Sequence, residues 1–193
     1  MTGVMSINIK HKSKEALLPE WNLSDLYKGT TDPAINSDLI KAEELARRFS
    51  TRYKGKLTKL NGNELGVAIK SFEFFSEVLS RITSFSQLKF SANMEDVEIS
   101  KFRQNTIERV TLITTLMLFF ELEINKIDSD NLSEMLRLPE VGYYKSWVDA
   151  VRVLKPYQLS DDLEKIIHEK SVVGCTAWVR LFDETLAGIQ FVV

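Results

Sequence analysis

The sequence has little cysteine and no long hydrophobic run. Only one of its 193 residues is a cysteine, Cys175, so the chain cannot form an internal disulfide. The first ten residues, MTGVMSINIK, lack a basic region followed by a long apolar run, which argues against a secretory signal peptide. The most apolar stretch, residues 110–120, is too short for a bilayer, which requires about 20 residues. These absences predict a soluble cytoplasmic protein with no membrane partner.

The sequence also has no large excess of charge of either sign. Its 25 lysines and arginines nearly balance 27 aspartates and glutamates, and the formal net charge is -2. Nucleic-acid-binding domains usually carry a net basic face, so this balance argues against a nucleic-acid partner. Hydrophobic residues make up 44% of the chain, as in globular proteins, and the length suits one domain or one part of a larger protein.

Prolines are few, and alternating strand patterns are almost absent. Pro19 lies in an N-terminal tail, and Asp32 before Pro33 has the order of an N-cap and a first helical residue. Pro139 and Pro156 each follow a periodic segment and are expected to end it. Between the prolines, apolar residues recur every three or four positions, as on one face of a helix. The sequence therefore predicts an elongated all-α domain.

Three long helices and several shorter ones follow from this spacing. The long helices are predicted at residues 33–53, 64–91 and 95–126, and the shorter ones at residues 131–138, 143–154, 160–173 and 175–190. A short link between the second and third predicts a long antiparallel hairpin. A second apolar stripe on the third helix predicts that its middle is covered from two sides; the stripe is Leu112, Leu116 and Phe119. The last helix has one apolar face, formed by Cys175, Trp178, Phe182, Leu186 and Ile189.

One short stretch, HEKSV at residues 168–172, matches part of a zinc-binding helix. An H-E-x-x-H helix places two imidazoles four positions apart on one face, so that both reach one metal ion. His168 and Glu169 are in place here, but the fifth position is Val172, and the only other histidine, His11, lies far away in the polar tail. We therefore interpret His168 as a residue on the polar side of a helix.

Cys175 and Arg180 have simpler interpretations than catalysis. A nucleophilic cysteine needs a base and electropositive surroundings, and His168 is not on an adjacent helical turn. We interpret Cys175 as a small core residue because it lies on the apolar face of the last helix. Arg180 and Asp183 are three positions apart and predict an ion pair on the polar face. From the residues alone, no catalytic, cofactor-binding or metal-binding residue is named.

Several stretches resemble the oligoendopeptidase F family, zinc peptidases similar to thimet oligopeptidase. LPEWNLSDLYKGTTDPAINSDL, residues 18–39, is similar to the family's entry segment, and RYKGKL, residues 52–57, is similar to the end of its first helix. EKSVVGCTAWVRLFDETLAGIQF, residues 169–191, resembles the family segment E-K-x-x-x-G-x-x-A-W-x-R-L-F-D-E, and LMLFFELEINKID, residues 116–128, is similar as well. The order of these segments matches that of the family, and they extend over nearly the whole chain.

The resemblance implies a helical N-terminal domain of such a peptidase at residues 18–193, preceded by a flexible tail at residues 1–17. In the family, the two histidines and the glutamate of the zinc helix lie far downstream with a further glutamate ligand, and this chain has none of them. Zinc would belong to the parent enzyme, where a metal-activated water attacks bonds of short peptides. The implied partners are a missing C-terminal catalytic domain and an oligopeptide substrate, and the truncated chain alone is expected to be inactive.

Two main functions stay open at this point. The first is a domain that covers the catalytic body and walls its channel, and the alternative is a stand-alone helical interaction module with no peptidase activity. A small enzyme that uses scattered carboxylates is a weaker third. We interpret the last residues, AGIQFVV, as a cut end of the chain. A missing body predicts exposed apolar residues on the last helix or the hairpin, and self-association through that surface.

Overall fold

Helices form nearly all of the fold in the computed structural model, which describes residues 21–189. In chain order they are α1 (Pro33–Tyr53), α2 (Gly62–Ala92), α3 (Val97–Thr115), α4 (Phe119–Lys126), α5 (Ser129–Met135), α6 (Pro139–Gly142), α7 (Lys145–Val153), α8 (Asp161–Lys170) and α9 (Cys175–Ala187). No β-strand occurs in residues 21–189, and the all-α prediction is confirmed. The predicted tail, His11 and Gln190 lie outside the described residues.

Helix α1 begins and ends at the predicted residues. The side chain of Asp32 accepts a hydrogen bond from the N–H of Ala34, and Pro33 stands at the first helical position, where its missing N–H is not needed. Residues three or four positions apart form its buried face; they are Ile35, Leu39, Ala42, Ala46, Phe49 and Tyr53. Local capping and apolar spacing were therefore sufficient to predict this helix.

Helices α2 and α3 form the predicted antiparallel hairpin. Near its tip, Phe85 of α2 and Phe102 of α3 pack edge to face, with ring centres 6.0 Å apart. At the other end, Phe72 of α2 lies against Phe120, just beyond α3, with ring centres 4.9 Å apart. These two contacts show that the helices run in opposite directions. Helix α2 has 31 residues, which corresponds to a length of about 46 Å.

The predicted third helix is divided in two, which corrects the prediction of one helix at residues 95–126. Helix α3 ends at Thr115 and α4 begins at Phe119. The hydroxyl of Thr115 donates to the carbonyl of Thr111 at 2.7 Å, and such a bond competes with the regular helical bond to that carbonyl. The N–H of Met117 bonds the carbonyl three residues earlier at 2.9 Å, as in a 3-10 turn. This tighter segment interrupts the helix.

An aromatic cluster joins α1, α2, α4 and α7 in the core. Phe120 is fully buried, and its ring centre lies 4.9 Å from those of Phe49 and Phe72. Trp147 of α7 stacks nearly parallel to Phe120, with ring centres 6.2 Å apart. Buried aromatic contacts of this kind contribute strongly to stability. The first half of the chain and α7 therefore form a self-contained core, on which α8 and α9 lie.

The shorter helices occur near their predicted positions, with shifted ends. Helix α5 begins earlier than predicted because the carboxylate of Asp128 accepts the first N–H groups of that helix. Pro139 begins the four-residue helix α6 in addition to following α5. Ser160 stands at the N-cap of α8 as predicted, but its side chain makes no capping bond; Glu164 instead accepts from the N–H of Leu159 at 2.8 Å. Between residues 21 and 189, no helix is long and apolar enough to cross a membrane.

Candidate functional site

The stretch HEKSV begins in α8, where His168 and Glu169 both contact other side chains. His168 Nε2 lies 2.9 Å from the hydroxyl of Thr114 in α3, so this ring nitrogen already has a partner. Glu169 pairs with Lys165 of the same helix at 3.8 Å. Within residues 21–189, no group of three or more His, Cys, Asp or Glu side chains is placed to hold a metal ion. The residues described therefore do not fit the zinc ion that the family resemblance implies.

Cys175 is exposed, which corrects its interpretation as a core residue. It begins α9 and shares a face with Trp178 and Phe182, as predicted. That face points away from the rest of the chain, because both aromatic side chains are largely exposed. The helix face was identified correctly, and the error lies in the assumption that an apolar face is buried within the chain.

Helix α9 contacts α3 of the hairpin through its polar face. Arg180, Asp183 and Glu184 are half-buried on this side. The guanidinium of Arg180 donates a hydrogen bond to the side-chain oxygen of Gln104 in α3. Its Nε lies 3.8 Å from a carboxylate oxygen of Glu184, so the ion pair of Arg180 is formed with Glu184 and not, as predicted, with Asp183.

A buried arginine of α3 interacts electrostatically with this polar face. Arg103 of α3 is 7% exposed, and its guanidinium lies over the ring of Phe90, 4.5 Å from the centroid. Burial lowers the pKa of Arg103 and the charge of Arg180 lowers it further, whereas the carboxylates of Asp183 and Glu184 raise it. These two carboxylates of α9 therefore offset part of the cost of burying the Arg103 charge.

The opposite face of α9 carries large apolar side chains that are exposed. Trp178 is 71% exposed and Phe182 is 62% exposed. Val179, Leu181, Leu186 and Ile189 are also exposed. The predicted apolar patch around the last helix is therefore confirmed.

Like α9, helix α8 turns its polar side toward the rest of the chain and its apolar side outward. Its polar residues Glu164 and His168 are half-buried, whereas Leu163, Ile166 and Ile167 are exposed. We use the term α8–α9 face for the exposed apolar residues of both helices: Leu163, Ile166, Ile167, Trp178, Val179, Leu181, Phe182, Leu186 and Ile189. Two successive amphipathic helices thus contact the core with their polar sides and present their apolar sides outward.

The second stripe on the predicted third helix is buried only in part. Phe119 belongs to the core and Leu116 packs against it, but Leu112 is 67% exposed. The prediction that the middle of this helix is covered from two sides is therefore confirmed at Leu116 and Phe119 and is wrong at Leu112.

A cleft of about 360 Å³ opens between α2, the junction of α3 and α4, and α8. Its floor is apolar and consists of Phe72, Phe75, Leu79, Val110, Met117 and Leu118. Its polar residues are Ser76, Ser80, Thr83, Thr114, Glu121 and His168. Surrounding protein atoms weaken the hydration of the Glu121 carboxyl group and raise its pKa, although the residue keeps an exposed surface.

This cleft was not predicted from the sequence. One signal was available in α2, where the small residues Ser76, Ser80 and Thr83 are spaced four and three positions apart beside the apolar stripe. Such spacing places them on one side of the helix, where they leave space for a ligand or a neighbour. Glu121 gave a weaker signal, as the first charged residue after the apolar stretch at residues 110–120.

Comparison with known proteins finds a family match for the segment that contains the last helices. Residues 123–191 match a family model described as Oligopeptidase F. The match supports the assignment of this segment to an N-terminal region of the oligopeptidase F family. No curated protein and no solved structure matches the chain.

The oligopeptidase F match bears on two of the four segments that carried the resemblance. It overlaps residues 116–128 and residues 169–191, and the family prediction is confirmed there. Residues 18–39 and 52–57 lie outside the matched range, so their assignment stays a prediction. The α8–α9 face lies entirely within the matched oligopeptidase F segment.

Proposed function

We propose that this chain is the non-catalytic N-terminal helical domain of an oligoendopeptidase F-like zinc metalloendopeptidase. In this role it packs on a C-terminal catalytic domain and walls the channel that admits short peptides. The oligopeptidase F match over residues 123–191 supports the N-terminal assignment. Zinc and the catalytic residues are assigned to the other domain, since the described residues offer no group suited to a metal ion.

The orientation of α8 and α9 is the observation that carries this proposal. Apolar surface left in water forgoes about 25 cal/mol of stabilisation per Å². Monomeric proteins rarely expose large contiguous apolar patches, and those that occur often mark interaction sites. Trp178 and Phe182 are of residue types that are enriched at protein interfaces, and both are more than 60% exposed. Helices that turn these residues outward are well placed to contact a second protein body.

A stand-alone interaction module is the second candidate function. The aromatic cluster around Phe120 is buried without any contribution from a second chain, which favours a domain that folds alone. In that case the α8–α9 face binds a partner helix, and no peptidase is involved. The two candidates therefore differ in the protein that covers the face.

Reconstitution distinguishes the two candidates. The purified chain is mixed with the zinc-loaded catalytic domain of an oligopeptidase F family enzyme that has been produced without its own N-terminal domain. Size-exclusion chromatography with light scattering measures the complex, and a quenched fluorescent peptide measures cleavage with and without a chelator. We expect a one-to-one complex with chelator-sensitive cleavage, and neither zinc nor such cleavage in the chain alone.

Matched variants test whether the α8–α9 face forms the contact. The double substitution Trp178→Ser and Phe182→Ser is expected to weaken the complex. The control is Tyr143→Ser, which removes an aromatic side chain that is 79% exposed outside the face, and it should leave the complex unchanged. Failure to form a complex with a folded catalytic domain would contradict the proposal, as would an equal effect of the control. Stoichiometric zinc with chelator-sensitive cleavage by the chain alone would refute the non-catalytic assignment.

A further inference from the structure

The cleft between α2, the α3–α4 junction and α8 is separate from the α8–α9 face. Its volume of about 360 Å³ lies within the range of small-ligand sites, roughly 300–1,000 Å³. Phe75, Leu79 and Met117 of its floor are themselves buried members of the core. The floor is therefore held in place by core packing.

Small side chains and the helix break keep the cleft open. Ser76 and Ser80 of α2 are four positions apart, where larger apolar residues would fill the space. On the other side, the hydroxyl of Thr114 is 2.9 Å from His168 Nε2, and this contact places α8 along one edge of the cleft. Helix α3 ends just after Thr114, and the floor residues Met117 and Leu118 lie in the segment between α3 and α4.

The charge at the cleft is negative. Among the described residues that line it, Glu121 is the one carboxyl group, and no lysine or arginine is present. Glu121 lines the same cleft as Met117 and Leu118, so its side chain borders the apolar floor. Loss of hydration raises the pKa of this carboxyl group. A carboxylate in such surroundings is stabilised by a cation.

We propose that this cleft binds the amino-terminal residue of a peptide when that residue is apolar. The apolar side chain occupies the floor, and the α-ammonium group pairs with the carboxylate of Glu121. An amino-terminal apolar residue carries both groups on one Cα atom, which matches the closeness of Glu121 to Met117 and Leu118. A lysine side chain, by contrast, separates its ammonium group from the backbone by four carbon atoms. That this peptide is a substrate rests on the proposed function, but the binding itself does not require the catalytic domain.

Three tripeptides and the full chain test the proposal by calorimetry, with NMR shifts to locate the contact. Phe-Gly-Gly is expected to bind, and its N-acetylated form and Gly-Gly-Gly should each bind at least about tenfold more weakly. Glu121→Gln keeps the shape of the side chain and removes its charge, so it should weaken Phe-Gly-Gly binding by a similar factor. The control is Glu77→Gln, which removes an exposed carboxylate of α2 outside the cleft and should change Kd by less than about twofold.

Filling the cleft provides a second test. Ser76→Leu should abolish Phe-Gly-Gly binding without loss of helical circular dichroism, and Ser80→Leu at the more exposed position tests the same point if the first variant does not fold. Equal binding of the acetylated peptide, an unchanged Kd in Glu121→Gln, or no binding of Phe-Gly-Gly at millimolar concentration would overturn the proposal. If peptide binding fails in this way but the chain still forms a complex with the catalytic domain, only the cleft proposal is refuted. If the chain binds Phe-Gly-Gly but forms no complex, only the proposed function is refuted.

Discussion

The carboxylate of Glu123 in α4 accepts a hydrogen bond of 2.6 Å from the backbone N–H of Gly55, in the turn after α1. The N–H of Leu57 donates to the same carboxylate at 3.3 Å. Glu123 is only 8% exposed, and two backbone donors bind its carboxylate. This contact joins the segments at residues 52–57 and 116–128, both of which resemble the oligoendopeptidase F family.

Removal of the Glu123 carboxylate should destabilise the domain. Glu123→Ala leaves the N–H groups of Gly55 and Leu57 without their acceptor, and we expect the free energy of unfolding to fall by about 2–4 kcal/mol. Glu123→Gln keeps one acceptor oxygen and should cost less. Urea denaturation followed by circular dichroism measures the change. Glu134→Ala, at an exposed position in α5, is the control and should change it by less than about 0.5 kcal/mol. Equal effects of Glu123→Ala and Glu134→Ala would contradict the assigned role of the contact.

A side chain at position 55 should lower the stability of the fold. Gly55 has a φ of 76°, a left-handed conformation that costs an L-residue about 1–2 kcal/mol. Because no atom would clash with an added Cβ, Gly55→Ala measures the backbone strain alone. We expect thermal unfolding to report a loss of this size. Gly29 also has free space around its Cβ position but no positive φ, so Gly29→Ala should be neutral or slightly stabilising. A neutral Gly55→Ala would show that the turn adopts another conformation.

The cap of α1 should make stability depend on pH. Hydrogen bonds from the N–H groups of Lys28, at 2.8 Å, and Ala34, at 2.9 Å, lower the pKa of Asp32 in the folded chain. A lowered folded-state pKa means that the ionised cap stabilises the fold above the ordinary pKa of aspartate, and that this contribution is lost as pH falls through the folded-state value. Asp32→Asn keeps an acceptor oxygen but does not titrate. We expect the native chain to have the higher Tm at neutral pH and this difference to disappear in acid.

The control for the pH experiment is Asp25→Asn, at an exposed position in the turn before α1. It removes the same charge without removing a helix cap, so its effect on Tm should be small. A difference between the native chain and Asp32→Asn that stays constant from neutral to acid pH would show that the charge of Asp32 does not contribute to the cap.

The α8–α9 face should contribute little to the stability of the isolated chain. Phe182→Ser alters a side chain that is 62% exposed, and the free energy of unfolding should change by less than about 0.5 kcal/mol. Phe120→Ala removes a fully buried ring of the same type and should cost about 3–5 kcal/mol. Chemical denaturation of both variants measures the contrast. A large loss of stability in Phe182→Ser would mean that another part of the chain already covers this face.

Local chemistry in the sequence determined most of the helical framework. The pair Asp32 and Pro33 predicted the start of α1, and the apolar spacing of α2 predicted its buried face, because caps and periodicity act over a few neighbouring residues. The same spacing identified the apolar face of α9. The family segments at residues 116–128 and 169–191 were also recognised from the sequence, and the oligopeptidase F match overlaps both.

Only the tertiary structure decided which way α8 and α9 face. An amphipathic pattern indicates that two faces differ, but it does not specify which neighbour each face meets. Here the buried charge of Arg103 and the side chains of Gln104 and Thr114 give the polar faces partners on the hairpin, so the apolar faces turn outward. The contact between Glu123 and Gly55 joins residues 68 positions apart, and the cleft is lined by α2, α3, α4 and α8. The contact and the cleft each bring together residues that are far apart in the sequence, so neither can be predicted from local sequence patterns.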